Sequence, residues 1–398
     1  MSARPDSGNG HGAVPPVDEG GPLPEATTMA GRFMEAAAGP ARKARNFTLV
    51  LVAAMVASIP LFYIAGSNPV VGYRSLFQGS LGSNYSIGET LVETIPLFLS
   101  GLAVALAFQG GLFNIGVEGQ LLVGGLVAGA LGTKLDLPPG IHLFVCIVGG
   151  MAAGALWALV PALLKARRGV HEVITTIMMN YIAFALSRFL VKPGGLLVSE
   201  TQPSATELVR PTAELPRIWG GTRLHAGLWI AMLAGFATWY LLFRTPLGFR
   251  IRVIGRNPVA GRFHGIAPNR IIVQTMLLSG ALGGLAGGVE VLGVFHRYYD
   301  AFSPGYGFDA IAVALLGALN PVGVAMAGVL FGILRAGSTA LQAVAGVSRD
   351  MISVFSALVV AFAAAVPLVD RIVSRKKGPP ADVAPSASLV EPKEPVAP

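Results

Sequence analysis

The sequence predicts an all-α polytopic membrane protein, and three observations support that prediction. The chain has 398 residues, of which 53% are hydrophobic and only 13% are charged, and its mean hydropathy is +0.64. A soluble protein of this length needs far more charge on its surface. Several apolar stretches approach the roughly 20 residues that a helix needs to cross a bilayer. Basic residues gather at the ends of these stretches, where they orient a membrane protein, so the net charge of +8 does not indicate a nucleic-acid partner.

The two ends of the chain differ from the middle in composition. Residues 1–40 are rich in Gly, Pro and Ala and lack the pattern of a signal peptide, whereas residues 374–398 are rich in Pro, Ala, Ser and Val. We expect both to be disordered cytoplasmic tails around a membrane domain at 41–373. The single cysteine, Cys146, excludes an intrachain disulfide and a cysteine metal cluster.

About ten transmembrane or re-entrant helical segments are expected, with both termini in the cytoplasm. The first seven are placed at about 46–66, 90–109, 114–132, 141–163, 172–191, 226–243 and 271–295, with outer loops at 67–87 and 192–223. Short loops rich in Lys and Arg stay in the cytoplasm. The clusters predicted to lie there are 42–45, 165–168, 244–270 and 371–377.

The last part of the chain follows from this orientation. A final span at about 351–370 requires the segment 307–335 to begin and end outside. The turn signal Asn320-Pro321 divides this segment into two pieces of about 13 residues, which are short for full spans. We therefore expect a tight helical hairpin or a re-entrant element there.

The loop 244–270 contains a predicted short helix. It carries no acidic residue and six arginines: Arg244, Arg250, Arg252, Arg256, Arg262 and Arg270. Asn257 is a good N-cap, Pro258 suits the first helical position, and Gly265 can supply the left-handed residue that ends a helix. The sequence thus predicts about two turns of cationic helix over residues 258–264 at the inner membrane surface.

One face of this short helix is suited to a partner protein. Val259 and Phe263 are four residues apart and therefore share a face, and Arg256 and Arg262 flank it. Such a narrow apolar face fits a groove on another protein. The alternative is a plain loop held at the membrane by the charge of the lipid.

Polar residues inside spans are costly and often mark a transport path. Near the start of the third span, Asn114 and Glu118 are four apart, and Gln120 follows. Broken helices expose N-terminal amides that bind polar solutes at mid-membrane. The alternative is a capping asparagine and a carboxylate satisfied by the helix end.

The fifth span carries a polar stripe at helical spacing. Glu172, Thr176 and Asn180 occupy positions i, i+4 and i+8. Glu172 suits the cytosolic interface, and the deeper Asn180 is expected to line a cavity or a helix contact. His171-Glu172 resembles the start of a zinc-protease motif, but position 175 is Thr, so no metal site is predicted.

Three features remain in the last third of the chain. Glu290 is expected to form a salt bridge with Arg297, two turns further on. Asn320 either serves as a turn or forms a constriction facing the third span. The glycines of the seventh span indicate close helix packing rather than a phosphate loop. The predicted transport path comprises Asn114, Glu118, Gln120, Thr176, Asn180 and Asn320.

Several stretches together resemble the permease subunits of bacterial ABC importers for sugars and nucleosides. They are GLFNIGVEGQ (111–120), HEVITTIMMNYIA (171–183), GRNPVAGRFHGI (255–266), AGGVEVLGVFHR (286–297) and FSPGYGFDAIAVALLGALNPVG (302–323). Each stretch is weak alone, but their combination is specific and covers about 90–335. The first two are most similar to the nucleoside branch of the family.

The resemblance implies a multi-pass protein of the bacterial plasma membrane, in contact with lipid and with three protein partners. These are a cytoplasmic ABC ATPase, a second permease, with a heterodimer favoured over a homodimer, and an extracytoplasmic or lipid-anchored solute-binding protein. The residues implied in ATPase coupling are Arg256, Asn257, Pro258, Val259, Arg262, Phe263 and Gly265. No Gly-Lys dipeptide occurs, so the chain lacks the phosphate-binding loop of an ATPase. We expect ATP hydrolysis on a separate chain, and no cofactor on this one.

The favoured function is import of a nucleoside-like solute by alternating access. Within the same class, the solute could instead be a simple sugar or another small heterocycle. An ion-coupled secondary transporter is the alternative from another class. A membrane-embedded enzyme is disfavoured because no His/Asp/Glu cluster has metal spacing and no serine or cysteine has an adjacent base.

Overall fold

The structure is a computed structural model that describes residues 66–346 without a break, together with 52–53, 55–60, 62–64, 354, 357–358 and 361. Both predicted tails and the basic clusters 42–45 and 371–377 lie outside the described residues. Regular secondary structure in the described part is helical, with two isolated β-bridges besides. This agrees with the all-α prediction.

The helices of the continuous stretch 66–346 are numbered in chain order. They are α1 (Pro69–Leu81), α2 (Asn84–Gln109), α3 (Val117–Lys134), α4 (Ile141–Arg168), α5 (Glu172–Val191), α6 (Gly227–Arg244), α7 (Pro246–Arg256), α8 (Pro258–Phe263), α9 (Pro268–Glu290), α10 (Tyr306–Leu316) and α11 (Pro321–Ala345). A π-helical turn, Val291–Phe295, extends α9, and a 3₁₀ turn lies at Pro211–Ala213. Within the described residues, six helices are long and apolar enough to cross a membrane: α2, α4, α5, α6, α9 with its π turn, and α11.

Helix α1 corrects the prediction of an outer loop at 67–87. The Asn68 side chain accepts a hydrogen bond from the backbone N–H of Val70 at 2.9 Å, and Pro69 occupies the first helical position. This is the N-cap and proline pattern that begins many helices. Helix α1 packs against α11, where Gly337 lies on the backbone of Leu76. Residues 69–81 of the predicted loop therefore form a helix, because this local signal is sufficient to begin one.

Helix α2 is buried along most of its length and contacts α6, α9, α10 and α11. The glycines of α9 bring that helix close to α3 and α4, as the sequence predicted. A Cβ atom on Gly284 would overlap the carbonyl oxygen of Gly150, and one on Gly287 would overlap that of Leu121. These glycines therefore allow backbones to touch, which is the role of small residues in membrane helix contacts.

Helix α11 corrects the prediction that both pieces of 307–335 are too short to span. Only α10 is short, with 11 residues, whereas α11 continues through Arg335 to Ala345 and has 25 residues. The Arg335 Nη2 atom lies 2.7 Å from Asp309 Oδ2. Because this ion pair compensates the charge of Arg335, the helix does not have to end there.

The break between α10 and α11 lies at the predicted Asn320-Pro321 turn. Ala318 and Leu319 have φ angles of +51° and +57°, in the left-handed region that reverses the chain. Helix α11 then runs antiparallel to α2, with Val324 beside Gly101 and Gly328 beside Phe98.

Candidate transport and coupling sites

The connection between α2 and α3 is held by a buried amide pair. Gly111 adopts a φ of +71° and turns the chain after α2. Asn114 Nδ2 donates to Gln120 Oε1 at 3.0 Å and to Ser279 Oγ at 2.8 Å, while Asn114 Oδ1 accepts from the N–H of Gly116 at 3.1 Å. Asn114 therefore ties the start of α3 to α9.

Asn180 on α5 binds the same connection from the other side. Its Oδ1 atom accepts from the backbone N–H of Gly119 at 2.8 Å, and its Nδ2 atom donates to the carbonyl oxygen of Ile115 at 2.9 Å. The first turn of a helix has free N–H groups, and Asn180 satisfies one of them. Thr176 is also buried, and its hydroxyl donates to the carbonyl oxygen of Val173 in its own helix.

Glu118 links the start of α3 to the start of α10. Its Oε2 atom accepts from the backbone N–H of Gly307 at 2.7 Å. Its Oε1 atom is buried and has no hydrogen-bond partner in the described part of the chain. The carboxylate thus lies at two helix N-termini, where the helix dipoles favour a negative charge.

Asn320 lies apart from the other five predicted path residues. It is exposed, and its Oδ1 atom caps α11 by accepting from the N–H of Val322 at 3.0 Å. Its neighbour Leu319 accepts a hydrogen bond from Gln109 at the end of α2, at 3.1 Å. The structure therefore brings five of the six residues together inside the chain, and the role of all six in a transport path stays a prediction.

Glu172, at the start of α5, forms an ion pair, and its Oε1 atom accepts from the backbone N–H of Phe113, next to Asn114, at 3.5 Å. Its Oε2 atom lies 2.7 Å from Lys165 Nζ at the end of α4. The basic cluster 165–168 and the polar stripe of α5 therefore meet at one end of the helices.

The predicted short helix in the arginine loop is present as α8. Asn257 Oδ1 accepts from the N–H groups of Val259 and Ala260, each at 3.0 Å. The helix ends at Phe263, one residue before the predicted end, and His264 is its C-cap. Gly265 follows with a φ of +73°. The proposed cap and terminator are both confirmed.

The apolar face of α8 is open. Phe263 is 87% exposed and Val259 is 60% exposed. Arg256 and Arg262 are exposed beside this face, and neither takes part in an ion pair within the described residues. Val259 and Phe263 together form an exposed apolar face, and an apolar face rimmed by polar residues is characteristic of protein or membrane interaction sites.

Helix α7 precedes α8 and was not foreseen from the sequence. Thr245 Oγ1 accepts from the N–H of Gly248 at 3.1 Å, and Pro246 is the first helical residue. Helix α7 buries Ile251 and Ile254 against α6 and α9. The signal that would have found it is the Thr-Pro pair, which repeats the N-cap and proline pattern of α8.

The end of α7 rests on the end of α2. A Cβ atom on Gly111 would lie 3.0 Å from the Cα atom of Gly255, and a Cβ atom on Gly255 would overlap the carbonyl oxygen of Gln109. The two backbones therefore touch only because both residues are glycines. This contact joins helices α7 and α8 to the connection between α2 and α3, where Asn114 lies.

The segment between α5 and α6 folds back over the stretch that connects α9 to α10. Backbone hydrogen bonds join Thr206 N to Tyr298 O at 2.7 Å and Val209 N to His296 O at 2.9 Å. His225 is fully buried here, and its Nδ1 atom accepts from the N–H of Gly227 at 3.1 Å. Burial lowers the pKa of His225 to about 4, so this imidazole is neutral at pH 7.

The predicted salt bridge between Glu290 and Arg297 is wrong. Arg297 forms a hydrogen bond with Gln202 of the segment between α5 and α6. Glu290 is 2% exposed, and its Oε2 atom has no hydrogen-bond partner within the described residues. Glu290 is followed by a π-helical turn, and His296 has a φ of +52°, so the regular helical spacing that the prediction assumed stops before Arg297. The described residues contain no group of three His, Cys, Asp or Glu side chains able to hold a metal ion.

Comparison with known proteins places these features in a family context. Residues 86–364 match the family described as "Branched-chain amino acid transport system / permease component". The chain is 39% identical to the guanosine ABC transporter permease protein NupP of Bacillus subtilis (strain 168), over 79% of this chain and 91% of that protein.

Two further relatives are similar over most of their length. The glucose ABC transporter permease protein TsgB13 of Haloferax volcanii is 35% identical, over 79% of this chain and 84% of the relative. The nucleoside ABC transporter permease protein NupB of Lactococcus lactis subsp. cremoris is 34% identical, over 78% and 88%. No solved structure matches the chain.

Proposed function

The chain belongs to this family of ABC transporter permease components, and we propose that it moves a nucleoside-like solute into the cytoplasm. The single observation that carries the solute class is the 39% identity to a guanosine permease over 91% of that protein's length. The 35% identity to a glucose permease supports a simple sugar as the second candidate. As a permease, the chain is an integral membrane protein.

Energy is proposed to enter through α8. Its open face, formed by Val259 and Phe263 between Arg256 and Arg262, would fit a groove of a cytoplasmic ABC ATPase. Nucleotide-driven closure of the ATPases would then pull on α7 and α8. The contact between Gly255 and Gly111 offers a short mechanical connection from α7 to the start of α3.

The transport path is proposed to pass beside the junction of α3, α5 and α10. Asn114, Glu118, Gln120, Thr176 and Asn180 would fix the shape of this junction, and Asn320 would hold the turn between α10 and α11. Because the polar groups of this junction are mostly satisfied within the chain, they would offer a passing solute only weak contacts. A permease needs this property, since it must release what it binds.

The family resemblance further supports two more partners. One is a second permease, with which this chain is proposed to form a heterodimer, and the other is an extracytoplasmic or lipid-anchored solute-binding protein. About ten helical segments with both termini in the cytoplasm remain our proposed topology, around a membrane domain at 41–373. Cysteine labelling tests this topology. The native Cys146 is buried, so a labelling reagent should react with an introduced cysteine rather than with the native one. A cysteine at position 256 should be labelled only from the cytoplasmic side, and labelling from outside intact cells would contradict the topology.

Uptake of labelled solutes tests the proposed solute class. The complex would be reconstituted in proteoliposomes and supplied with guanosine, other nucleosides, glucose and branched-chain amino acids. Saturable uptake of nucleosides supports the proposal, and uptake of glucose alone would favour the second candidate. Uptake of amino acids alone would contradict both.

A further inference from the structure

A second group of polar side chains lies at the opposite end of α2 from the α7–α8 pair. Glu93 on α2, Glu290 at the end of α9 and Tyr306 at the start of α10 meet there. The Tyr306 hydroxyl donates to Glu93 Oε2 at 2.9 Å. The Glu290 carboxyl group lies within reach of the same hydroxyl, and its Oε2 atom has no hydrogen-bond partner in the described part of the chain.

The two carboxyl groups differ in their access to solvent. Glu93 is half-buried, whereas Glu290 is 2% exposed and has an oxygen, Oε2, without a partner in the described part of the chain. A buried carboxyl oxygen without a donor is costly in any protein, and more so in a membrane. The arrangement therefore fits a site whose hydrogen-bond donors arrive with a ligand.

The cations near this group are already paired. Arg335 lies 4.7 Å from the centre of the Tyr306 ring, but its guanidinium group binds Asp309 with an N–O distance of 2.7 Å. Arg223 forms an ion pair with Glu89, one helical turn from Glu93. Glu93 and Glu290 are thus left as acceptors, and a neutral ligand rich in hydroxyl donors suits them better than an anion.

Aromatic side chains adjoin the two carboxyl groups. Tyr299, on the stretch that joins α9 to α10, is half-buried, and its ring contacts Phe295 edge-on with the ring centres 4.9 Å apart. Aromatic rings beside carboxylates offer an apolar surface for the C–H faces of a sugar or for a heterocyclic base, while the carboxylates accept hydrogen bonds from hydroxyl groups.

We propose that Glu93 and Glu290, with Tyr306 between them and Tyr299 beside them, bind two adjacent hydroxyl groups of the solute, such as those of a ribose ring. This inference rests on the proposed nucleoside-like solute. Adjacent hydroxyl groups are also the chemistry that guanosine and glucose, the solutes named for two relatives, have in common. Tyr306 is next to Gly307, whose N–H binds Glu118, so the start of α10 connects this site to the buried junction.

The test compares uptake of guanosine with uptake of 2′,3′-dideoxyguanosine by the reconstituted complex. Glu290→Gln and Glu93→Gln should each raise the KM for guanosine by about tenfold or more, since an amide NH2 group replaces one of the two carboxyl oxygens. The KM for the dideoxy analogue should change by less than about twofold, because it has no hydroxyl pair to bind. The binding protein is the same in every sample, so its own preference cancels in the ratio of variant to wild type.

Glu172→Gln is the matched control, because it removes another buried carboxylate at the other end of the helices. It should affect both solutes equally. Unchanged discrimination in both Glu290→Gln and Glu93→Gln would overturn the inference, and so would an equal loss for both solutes, which indicates a structural role only. Either result leaves the proposed function intact, since the wild-type complex still takes up guanosine.

A wrong solute class can be distinguished from a wrong hydroxyl-binding site. If the wild-type complex takes up glucose but no nucleoside, the solute class is wrong, and the same variants are compared on glucose and 2,4-dideoxyglucose, which has no adjacent hydroxyl groups. A selective loss for glucose then supports the hydroxyl contact, and a uniform loss or no change overturns it.

Discussion

At the scale of single residues, Asn180 shows how one side chain holds a junction. Its amide group binds one N–H and one carbonyl group in the stretch where α2 gives way to α3. The sequence predicted that this asparagine lines a cavity or a helix contact, because burying an unpaired amide in an apolar span costs free energy. It could not indicate the partners, which lie 61 and 65 positions earlier in the chain.

Asn180→Leu should slow uptake without preventing insertion or assembly. The leucine leaves the N–H of Gly119 and the carbonyl of Ile115 unpaired, at a cost of about 1–3 kcal/mol each when they stay buried. The measurements are solute uptake and thermal unfolding of the purified protein. Asn68→Ala serves as control, since this exposed cap of α1 should cost about 1 kcal/mol or less. Unchanged uptake and stability in Asn180→Leu would remove this residue from the account.

At the scale of elements, the short helices α7 and α8 connect the surface of the protein to its core. Local signals predicted α8 almost to the residue, because Asn257 and Pro258 act on their own helix. The same signals at Asn68-Pro69 and Thr245-Pro246 mark α1 and α7, so both helices could have been predicted from the sequence. The length of α11 could not be predicted, because Asp309, which compensates the charge of Arg335, lies in another helix.

Gly255→Ala should weaken coupling while the complex still assembles. The added methyl group would overlap the carbonyl oxygen of Gln109, so α7 must move away from α2. Overpacking of this kind costs about 1–3 kcal/mol. If the contact transmits motion and about 1.4 kcal/mol of this cost falls on the transport step, uptake drops by about tenfold. Gly220→Ala is the matched control because a Cβ atom there would meet open space. Equal uptake rates in the two variants would show that the contact transmits nothing.

Phe263→Asp should lower both uptake and stimulation of the ATPase, with the permease still inserted in the membrane. The exposed ring is placed to enter a groove on the partner, where a carboxylate would be desolvated at high cost. Phe263→Leu keeps an apolar side chain and should retain most of the rate. Normal transport by the aspartate variant, with the ATPase still bound, would mean that α8 is only a loop.

At the scale of the whole molecule, long-range contacts at the end opposite α7 and α8 were the least predictable. The segment between α5 and α6 was expected to be a loop, yet it pairs with the backbone after α9 and buries His225. Arg297 meets Gln202 in that segment rather than Glu290 in its own helix. Such contacts join residues far apart in sequence, and neither helical spacing nor local composition contains them.

Acidification should destabilise this folded segment. The pKa of His225 is about 4 in the folded protein and 6.5 when exposed. Its contribution to stability is therefore present above pH 6.5 and is lost as the pH falls towards 4. Thermal unfolding between pH 7 and pH 4 measures this slope, and His225→Gln, which does not titrate, should flatten it. An identical slope in that variant would exclude His225 as its source.

The measurement that tests the central claim most directly is the energy requirement of guanosine uptake. The permease would be reconstituted with its ATPase, second permease and binding protein, and supplied with labelled guanosine, with or without ATP, and with ionophores that dissipate ion gradients. The account predicts uptake that requires ATP, persists with ionophores and is lost in Phe263→Asp. Uptake without ATP that ionophores abolish would contradict it and identify an ion-coupled carrier instead.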